Sequence, residues 1–384
     1  MKKAVLIPDS FKGTVSSKEI CRILTEKIHT YFPACSVVSI PVADGGEGSV
    51  DCFLTAVGGQ KIERRATGPF GAQTDAFYGI LADGTTAVIE MAACAGLPLA
   101  EGRLDPTRAT TYGVGELILD AAERGCSKII LCLGGSATND LGCGAAAAVG
   151  VRFLDQSGSA FVPAGGTLKD IASIDGSGKS PLLDGVTFIT MCDIDNPLYG
   201  ETGAAYVFAP QKGADAPTVA LLDDGLRKAA EVIRQSLGRD VAQIPGAGAA
   251  GGMGAGMVAF FGAELQMGIE TVLDTVRFAD VIADADVVFT GEGRLDSQSL
   301  RGKVVIGVAR RAQAQNVPVI VIAGDYDAQL DGAYAAGVTA VFSTNRVAKD
   351  FSVIKKDSAQ NLALTADNIL RLMKSVSDKQ AVIG

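Results

Sequence analysis

Val287-Val288-Phe289-Thr290-Gly291-Glu292-Gly293-Arg294-Leu295-Asp296 is a short apolar run that empties into a glycine loop carrying carboxylates and a guanidinium. Ile129-Ile130-Leu131-Cys132-Leu133-Gly134-Gly135-Ser136-Ala137-Thr138-Asn139-Asp140 repeats the arrangement with hydroxyl, amide and carboxylate groups. Apolar runs bounded by glycine signal buried strands. In open α/β sheets, ligands bind where the carboxyl ends of strands meet their loops. A third loop of this kind, Pro8-Asp9-Ser10-Phe11-Lys12-Gly13, lies near the start. Together they predict an enzyme whose strand-end loops converge on a polar, phosphorylated ligand.

Working outward, the alternation is regular at both ends of the chain. Residues 4–8 predict a strand, 16–30 a helix and 36–41 a second strand. The acidic loop Val42-Ala43-Asp44-Gly45-Gly46-Glu47-Gly48-Ser49 then leads to a helix over 50–56. Ser16 and Ser17 offer helix-capping hydroxyls, with Glu19 in the first turn. Toward the C-terminus, 287–290 predicts a strand, and 303–314 a helix packing through Val304, Val305, Val308 and Ala309. Strands follow at 318–322 and 339–343, and a long helix closes the chain. Such alternation implies a parallel sheet covered on both faces.

The middle has a different texture. Residues 61–66 and 75–81 read as antiparallel strands around Gly68-Pro69-Phe70-Gly71. Another strand, 87–90, lies close to the hairpin turn Asp83-Gly84. Helices are expected at 113–124, 142–149 and 218–237, and a strand at 186–192. The expected fold is α/β: a Rossmann-like parallel-sheet domain built from both chain ends, 1–64 and 283–384, with an inserted mixed α/β domain, 65–282. Two crossings would create a hinged interdomain cleft holding the active site.

Composition narrows the chemistry. With 384 residues, 48% hydrophobic and 20% charged, the chain has ample apolar surface for two cores. A net charge of -9 argues against nucleic acid as the main partner. No apolar run approaches the roughly 18 residues of a membrane span, so a soluble cytoplasmic protein is expected. The eight cysteines contain no CxxC pair and read as reduced, buried thiols. His29 is the single histidine, expected on a helix surface or end. A Ser-His-Asp or Cys-His device would have to use it, and a zinc site built from several histidines is impossible. Chemistry must then come from Asp, Glu, Lys, Arg, Ser, Thr and a bound metal.

Two motifs invite over-reading. Gly178-Lys179-Ser180 resembles the end of a Walker A loop, but Ser173 stands at the required glycine and Pro181 follows. Gly246, Gly248 and Gly251 match GxGxxG formally, yet residues 241–245 make a poor strand. That glycine segment reads equally as close backbone packing or as a loop whose N–H groups wrap nucleotide phosphates. Other clusters are richer. Lys12 suits a carboxylate or phosphate, and Asp44 and Glu47 suit magnesium or a substrate hydroxyl. Asp193 and Asp195, two apart after a strand, would share a face if the strand persisted, a pair fit for magnesium or hydroxyl deprotonation. Gln211-Lys212-Gly213 adds a cation. Arg294, Asp296, Ser297, Gln298 and Lys303 form the last cluster, and a lysine at a helix start favours a nearby anion.

Pro8-Asp9-Ser10-Phe11-Lys12, Asp44-Gly45-Gly46-Glu47-Gly48, Thr67-Gly68-Pro69, Glu90-Met91-Ala92 and Thr110-Thr111-Tyr112-Gly113 then carry a family resemblance. So do the 134–140 and 193–198 segments, Pro210-Gln211-Lys212-Gly213-Ala214, and the 246–252 and 291–296 segments. In this order, over nearly the whole chain, they resemble the bacterial glycerate kinase family. The resemblance implies magnesium- and ATP-dependent phosphorylation of D-glycerate, at the 2-hydroxyl, and a Rossmann-like domain with an inserted second domain.

Chemistry assigns the roles. Asp193 is the expected base, and Lys12 and Arg294 hold the glycerate carboxylate or γ-phosphate. Asp9, Ser10, Asp44, Glu47 and Asn196 line the substrate site. Gly134, Gly135, Ser136, Thr138, Gly248, Gly251 and Gly252 hold nucleotide phosphates, and Asp195 and Asp296 hold Mg2+. Two alternatives stand beside this one: an NAD-linked hydroxyacid dehydrogenase, favoured by GxGxxG, and a non-enzymatic sugar-acid-binding regulator. Oligomeric state, a homo-oligomer included, stays open.

Overall fold

The computed structural model describes residues 1–43, 45–296, 299–347 and 350–383. Asp44, Ser297 and Gln298 therefore lie outside the described residues. In chain order the main strands are β1 (Lys3–Leu6), β2 (Ser36–Ser39), β3 (Gly59–Thr67), β4 (Gln73–Leu81), β5 (Thr86–Glu90) and β6 (Lys128–Cys132). They continue with β7 (Thr187–Met191), β8 (Glu264–Gln266), β9 (Val287–Thr290), β10 (Val319–Ala323) and β11 (Val338–Ser343). The helices used below are α1 (Ser17–Tyr31), α2 (Ser49–Val57), α3 (Tyr112–Glu123), α4 (Cys143–Ala148), α5 (Ala216–Leu237), α6 (Val304–Gln313) and α7 (Ser358–Ile383). The chain forms two compact units, one from 1–44 with 267–384 and one from 45–266.

The first unit is a parallel sheet in the order β11-β10-β9-β1-β2. Counted within the unit this is the doubly wound order 2-1-3-4-5, whose topological switch point lies between its first and third strands. Here those are β1 and β9. Ala4, Leu6, Val287, Phe289, Ile320 and Ile322 share one core with α1 and α7, which pack on each other and contribute Ile20, Leu24, Leu362 and Ile369 to it. On α6, Val304, Val305, Val308 and Ala309 are all buried, as the periodicity predicts. Ser16 caps α1, its hydroxyl accepting from the Glu19 N–H at 3.2 Å, a bond worth about 1 kcal/mol. His29 sits in the last turn of α1, exposed, with Nε2 3.1 Å from the Cys35 carbonyl.

The second unit is a mixed sheet in the order β8-β7-β6-β5-β4-β3. β3, β4 and β5 pair antiparallel, and β5 to β8 pair parallel. The Asp83 carboxylate accepts from the Thr85 and Thr86 N–H groups and fixes the turn between β4 and β5. β3 joins this sheet through its full-length ladder with β4, and α2 packs on β4 and β5. Both elements therefore belong to the second unit, and the chain divides at 44/45 and 266/267 rather than at the expected 64/65 and 282/283. Every one of the eight cysteines is a free thiol, and only Cys52 is not fully buried. No helix among the described residues is long and apolar enough to cross a membrane.

The glycine segment after α5 carries unusual backbone. Ala250, Gly251 and Gly252 are consecutively left-handed, with φ of 53, 69 and 90°. A Cβ on Gly251 would lie 2.1 Å from the Thr138 carbonyl oxygen. Gly238, the left-handed C-cap of α5, has open space there instead. Left-handed strain alone costs about 1–2 kcal/mol for alanine. Gly251→Ala is therefore expected to lower the thermal midpoint at least about twice as far as Gly238→Ala, because steric overlap adds to strain. Thermal unfolding followed by circular dichroism checks this.

Candidate functional site

In the second unit the carboxyl ends of β5, β6 and β7 lie side by side. β6 runs into the 134–140 loop. Gly134 donates its N–H to the Gly45 carbonyl at 2.8 Å, and its missing Cβ position falls 2.4 Å from Gly46 Cα. Only glycine permits two backbones to pass this closely. The approach brings Glu47 Oε1 within 3.7 Å of the Gly135 Cβ position. Glu90, at the end of β5, accepts from the Val50 N–H at 2.7 Å and the Gly48 N–H at 3.2 Å, anchoring the start of α2.

The polar side chains of this loop are buried rather than displayed. Ser136 is 5% exposed, and Thr138, Asn139 and Asp140 are fully buried. Asp140 Oδ2 accepts from the Thr111 N–H at 2.7 Å, the Thr111 hydroxyl at 2.8 Å and the Gly144 N–H at 3.3 Å. Burial still pushes its carboxyl above the usual range, with these bonds opposing. Lys212 reaches in from a neighbouring turn. Its Nζ donates to Ser136 Oγ at 2.8 Å and to the Thr138 carbonyl at 2.7 Å, and the residue is 2% exposed. Burial pulls its ammonium down to about 7, the Asp140 charge acting in the opposite sense. Thr138 Oγ1 and both amide atoms of Asn139 are buried without a hydrogen-bond partner. Buried polar groups are nearly always paired, so orphans at a strand end mark a site built for something else.

β7 stops at Met191, so Asp193 and Asp195 leave the sheet on irregular backbone. The expected shared strand face is not formed: Asp193 is half-buried and Asp195 exposed. Asn196 Nδ2 donates to the Thr202 carbonyl at 2.8 Å, and the Asn196 carbonyl accepts from the Gly248 N–H at 3.0 Å. The Gly252 N–H is directed to the Gly248 carbonyl. Gly248, Gly251 and Gly252 are buried against 196–197, 138–139 and Leu141, which gives this segment a packing role. No strand precedes Gly246, so the formal GxGxxG match lacks the strand that a dinucleotide loop needs. Lys179 and Ser180 are half-buried, Lys179 with its Nζ 5.6 Å from the Phe261 ring centre and Ser180 capping a short helical turn.

The first unit presents its own cluster, at the switch point. Asp9 donates its N–H to the Gly291 carbonyl at 2.8 Å, joining the loops after β1 and β9. Asp9 Oδ1 accepts from the Ser10 N–H at 2.6 Å. Lys12 stands exposed on the tight turn closed between Phe11 and Val15, and the Gly293 Cβ position lies 3.5 Å from its backbone nitrogen. Arg294 is exposed and paired with Asp327 at 2.9 Å. Lys303 is the residue immediately before α6. The loops after β1 and β2 run together as far as Val42, whose N–H donates to Ser17 Oγ at 2.9 Å. Gly45 and Glu47 belong to the second unit.

Glu292 had no expected role, although it stands between two conspicuous glycines. It is 8% exposed, and its Oε1 is buried without a partner. Burial pushes its carboxyl up to about 7; Ser299 lowers it, Asp9 and Asp296 raise it, and Lys303 lowers it. Its folded value exceeds its unfolded one of 4.5, so this group contributes stability that is full below pH 4.5 and lost as the pH rises through about 7. Wild type is expected to lose up to about 3 kcal/mol relative to Glu292→Gln across that window. Urea unfolding of both proteins at pH 5 and pH 7.5 checks it.

Comparison with known proteins agrees with this architecture. The glycerate kinase family model matches residues 4–374. A glycerate kinase of Bacillus cereus is 43% identical over 378 residues, spanning 98% of this chain and 99% of the relative. A chain of Escherichia coli K12 named glycerate 2-kinase is 46% identical over 343 residues, spanning 89% and 90%. A solved structure assigned as glycerate kinase 2 from Salmonella typhimurium LT2 superposes with a TM-score of 0.87 at 40% identity, covering 98% of this chain and 99% of that one. This chain belongs to the glycerate kinase family.

Proposed function

We propose that this protein transfers the γ-phosphoryl group of ATP to the 2-hydroxyl of D-glycerate, giving 2-phosphoglycerate and ADP. The observation that supports it most is the near full-length likeness to chains named glycerate kinase and glycerate 2-kinase. We place it in the cytoplasm as a soluble enzyme of small molecules, with neither nucleic acid nor membrane as partner. The net charge of -9 supports the first exclusion. The dehydrogenase alternative loses its motif at Gly246, and no observation favours a regulator.

The reaction asks for a base at the attacking hydroxyl, cations at the carboxylate and phosphates, and fixed donors where charge develops. Asp193, half-buried at a strand end, takes the proton as the 2-hydroxyl oxygen bonds to the γ-phosphorus and the bond to the β–γ bridging oxygen breaks. Asp9, Ser10, Glu47 and Asn196 orient glycerate. Lys12 and Arg294 carry the charge that holds carboxylate or γ-phosphate, Arg294 also pairing with Asp327. Gly134 and Gly135 offer backbone donors to the phosphates. Ser136 accepts from Lys212, so its own O–H is free to donate to a phosphate oxygen. Gly248, Gly251 and Gly252 support the 134–140 loop by packing.

Magnesium accompanies ATP in such chemistry and takes one or two protein carboxylates, with phosphate and water filling its shell. The orphaned Glu292 Oε1, with Asp9 and Asp296 acting on it electrostatically, is a donor set of the hard oxygens this ion takes. Asp296 would hold it there, and Asp195 is the second candidate. Among the described residues no group of three or more His, Cys, Asp or Glu forms an all-protein cage. Bound magnesium would neutralise charge on the β- and γ-phosphates.

D-glycerate, and not L-glycerate, is expected to stimulate ADP release from Mg-ATP, and the product is expected to feed enolase directly. Product that needs phosphoglycerate mutase first would move the transfer to the 3-hydroxyl; no stimulation would sink the substrate assignment. Asp193→Asn is expected to lower kcat by about 100-fold or more, the range of general-base catalysis, with the circular dichroism spectrum unchanged. Near-normal turnover would remove Asp193 from the reaction.

A further inference from the structure

Lys212 is the most deeply buried cation described at either cluster, and its Nζ makes two hydrogen bonds, as many as a neutral amine can donate. A neutral lysine has two N–H donors, and Nζ makes two bonds, to Ser136 Oγ and the Thr138 carbonyl. Both acceptors are uncharged. No carboxylate forms an ion pair with it among the described residues. Asp140 is the charged group whose field reaches it, and Asp140 is itself bonded to Thr111, Gly142 and Gly144. An ammonium placed here would need a third acceptor and a counter-charge.

Two independent features indicate where such a partner belongs. Thr138, whose carbonyl holds Nζ, has a buried hydroxyl without a partner, and the adjacent Asn139 has both amide atoms unsatisfied. The loop bearing them follows β6, a parallel strand whose carboxyl end lies beside that of β7.

We propose that Lys212 is a positioning residue of the 134–140 loop, and that an oxyanion bound at this loop, a carboxylate or a phosphate, is taken up together with a proton on Lys212. The proton comes from solvent and goes to Nζ, supplying the third donor as the anion supplies the counter-charge. This rests on the kinase reading, which provides both candidate oxyanions. Burial holds the free amine near 7, so at pH 8 the unliganded site is mostly neutral and has a proton to gain.

Isothermal titration of ADP and, separately, of D-glycerate at pH 8, each in two buffers of unlike ionisation enthalpy, tests it. One ligand is expected to bring uptake approaching one proton per site in wild type, and its identity tells which oxyanion sits at the loop. Lys212→Met is expected to abolish that uptake and weaken the same ligand about 10-fold or more, the scale of a lost charge-assisted hydrogen bond. Lys212→Arg, permanently charged, is expected to bind without uptake. Equal uptake in wild type and both variants would overturn the proposal. So would binding to wild type with no uptake from either ligand, a result that needs no variant to fold. Failure of wild type to bind either ligand would instead bring down the kinase reading.

Discussion

Close backbone approach around the 134–140 loop is the constraint on which the second unit's chemistry depends. Gly134 lies against Gly46 on one side, and Gly251 lies against Thr138 and Asn139 elsewhere along the loop. Side chains at these glycines would force the segments apart, so the loop is held by main chain. Ser136, Thr138, Asn139, Asp140 and Lys212 are buried in this packing while carrying polar atoms. In a buried setting each hydrogen bond and each unpaired donor weighs more than it would at the surface. The pull on Lys212 and the push on Asp140 both follow from that burial.

The first unit works by a different device. Its strand order puts the reversal point between β1 and β9, and the loops leaving those two strands are tied through Asp9 and Gly291. Glu292 is buried there while Lys12 and Arg294 stay in solvent. A buried carboxyl beside exposed cations separates the group whose charge state is adjustable from the groups whose charge is fixed.

Much of this was legible in the residues. The strand at 287–290 matches β9 residue for residue, and the other elements whose bounds were expected fall within one or two residues, because their apolar periodicity and flanking glycines are strong. Capping by Ser16 and the Asp83 turn were legible for the same reason: the chemistry is local. The edge strand β8, three residues long, carries no periodicity to read. The left-handed turn at 250–252 was hidden because alanine does not announce a positive φ. Membership of α2 and β3 in the second unit depends on a ladder with β4 that spacing alone does not reveal. In the candidate site, Ser136, Thr138 and Lys12 stood out by type and loop position. Lys212 was visible as a cation but not as a buried one, and Glu292 was masked by its neighbours. Burial is a property of the tertiary fold, and it is burial that distinguishes both.

The layout of the first unit also bears on how the chain acquires its structure. β1 and α1 are synthesised before the second unit, whereas β9, which pairs with β1, and α7, which packs on α1, are synthesised after it. The second unit is contiguous, from 45 to 266, and its partners are all synthesised before the first unit can close. Nascent β1, with Ala4 to Ile7 wholly apolar and destined for zero exposure, must wait through that interval with an open edge. Long-range pairing of this kind is slow and prone to mispairing. The insertion of the second unit therefore lengthens the interval in which this apolar segment is open to mispairing.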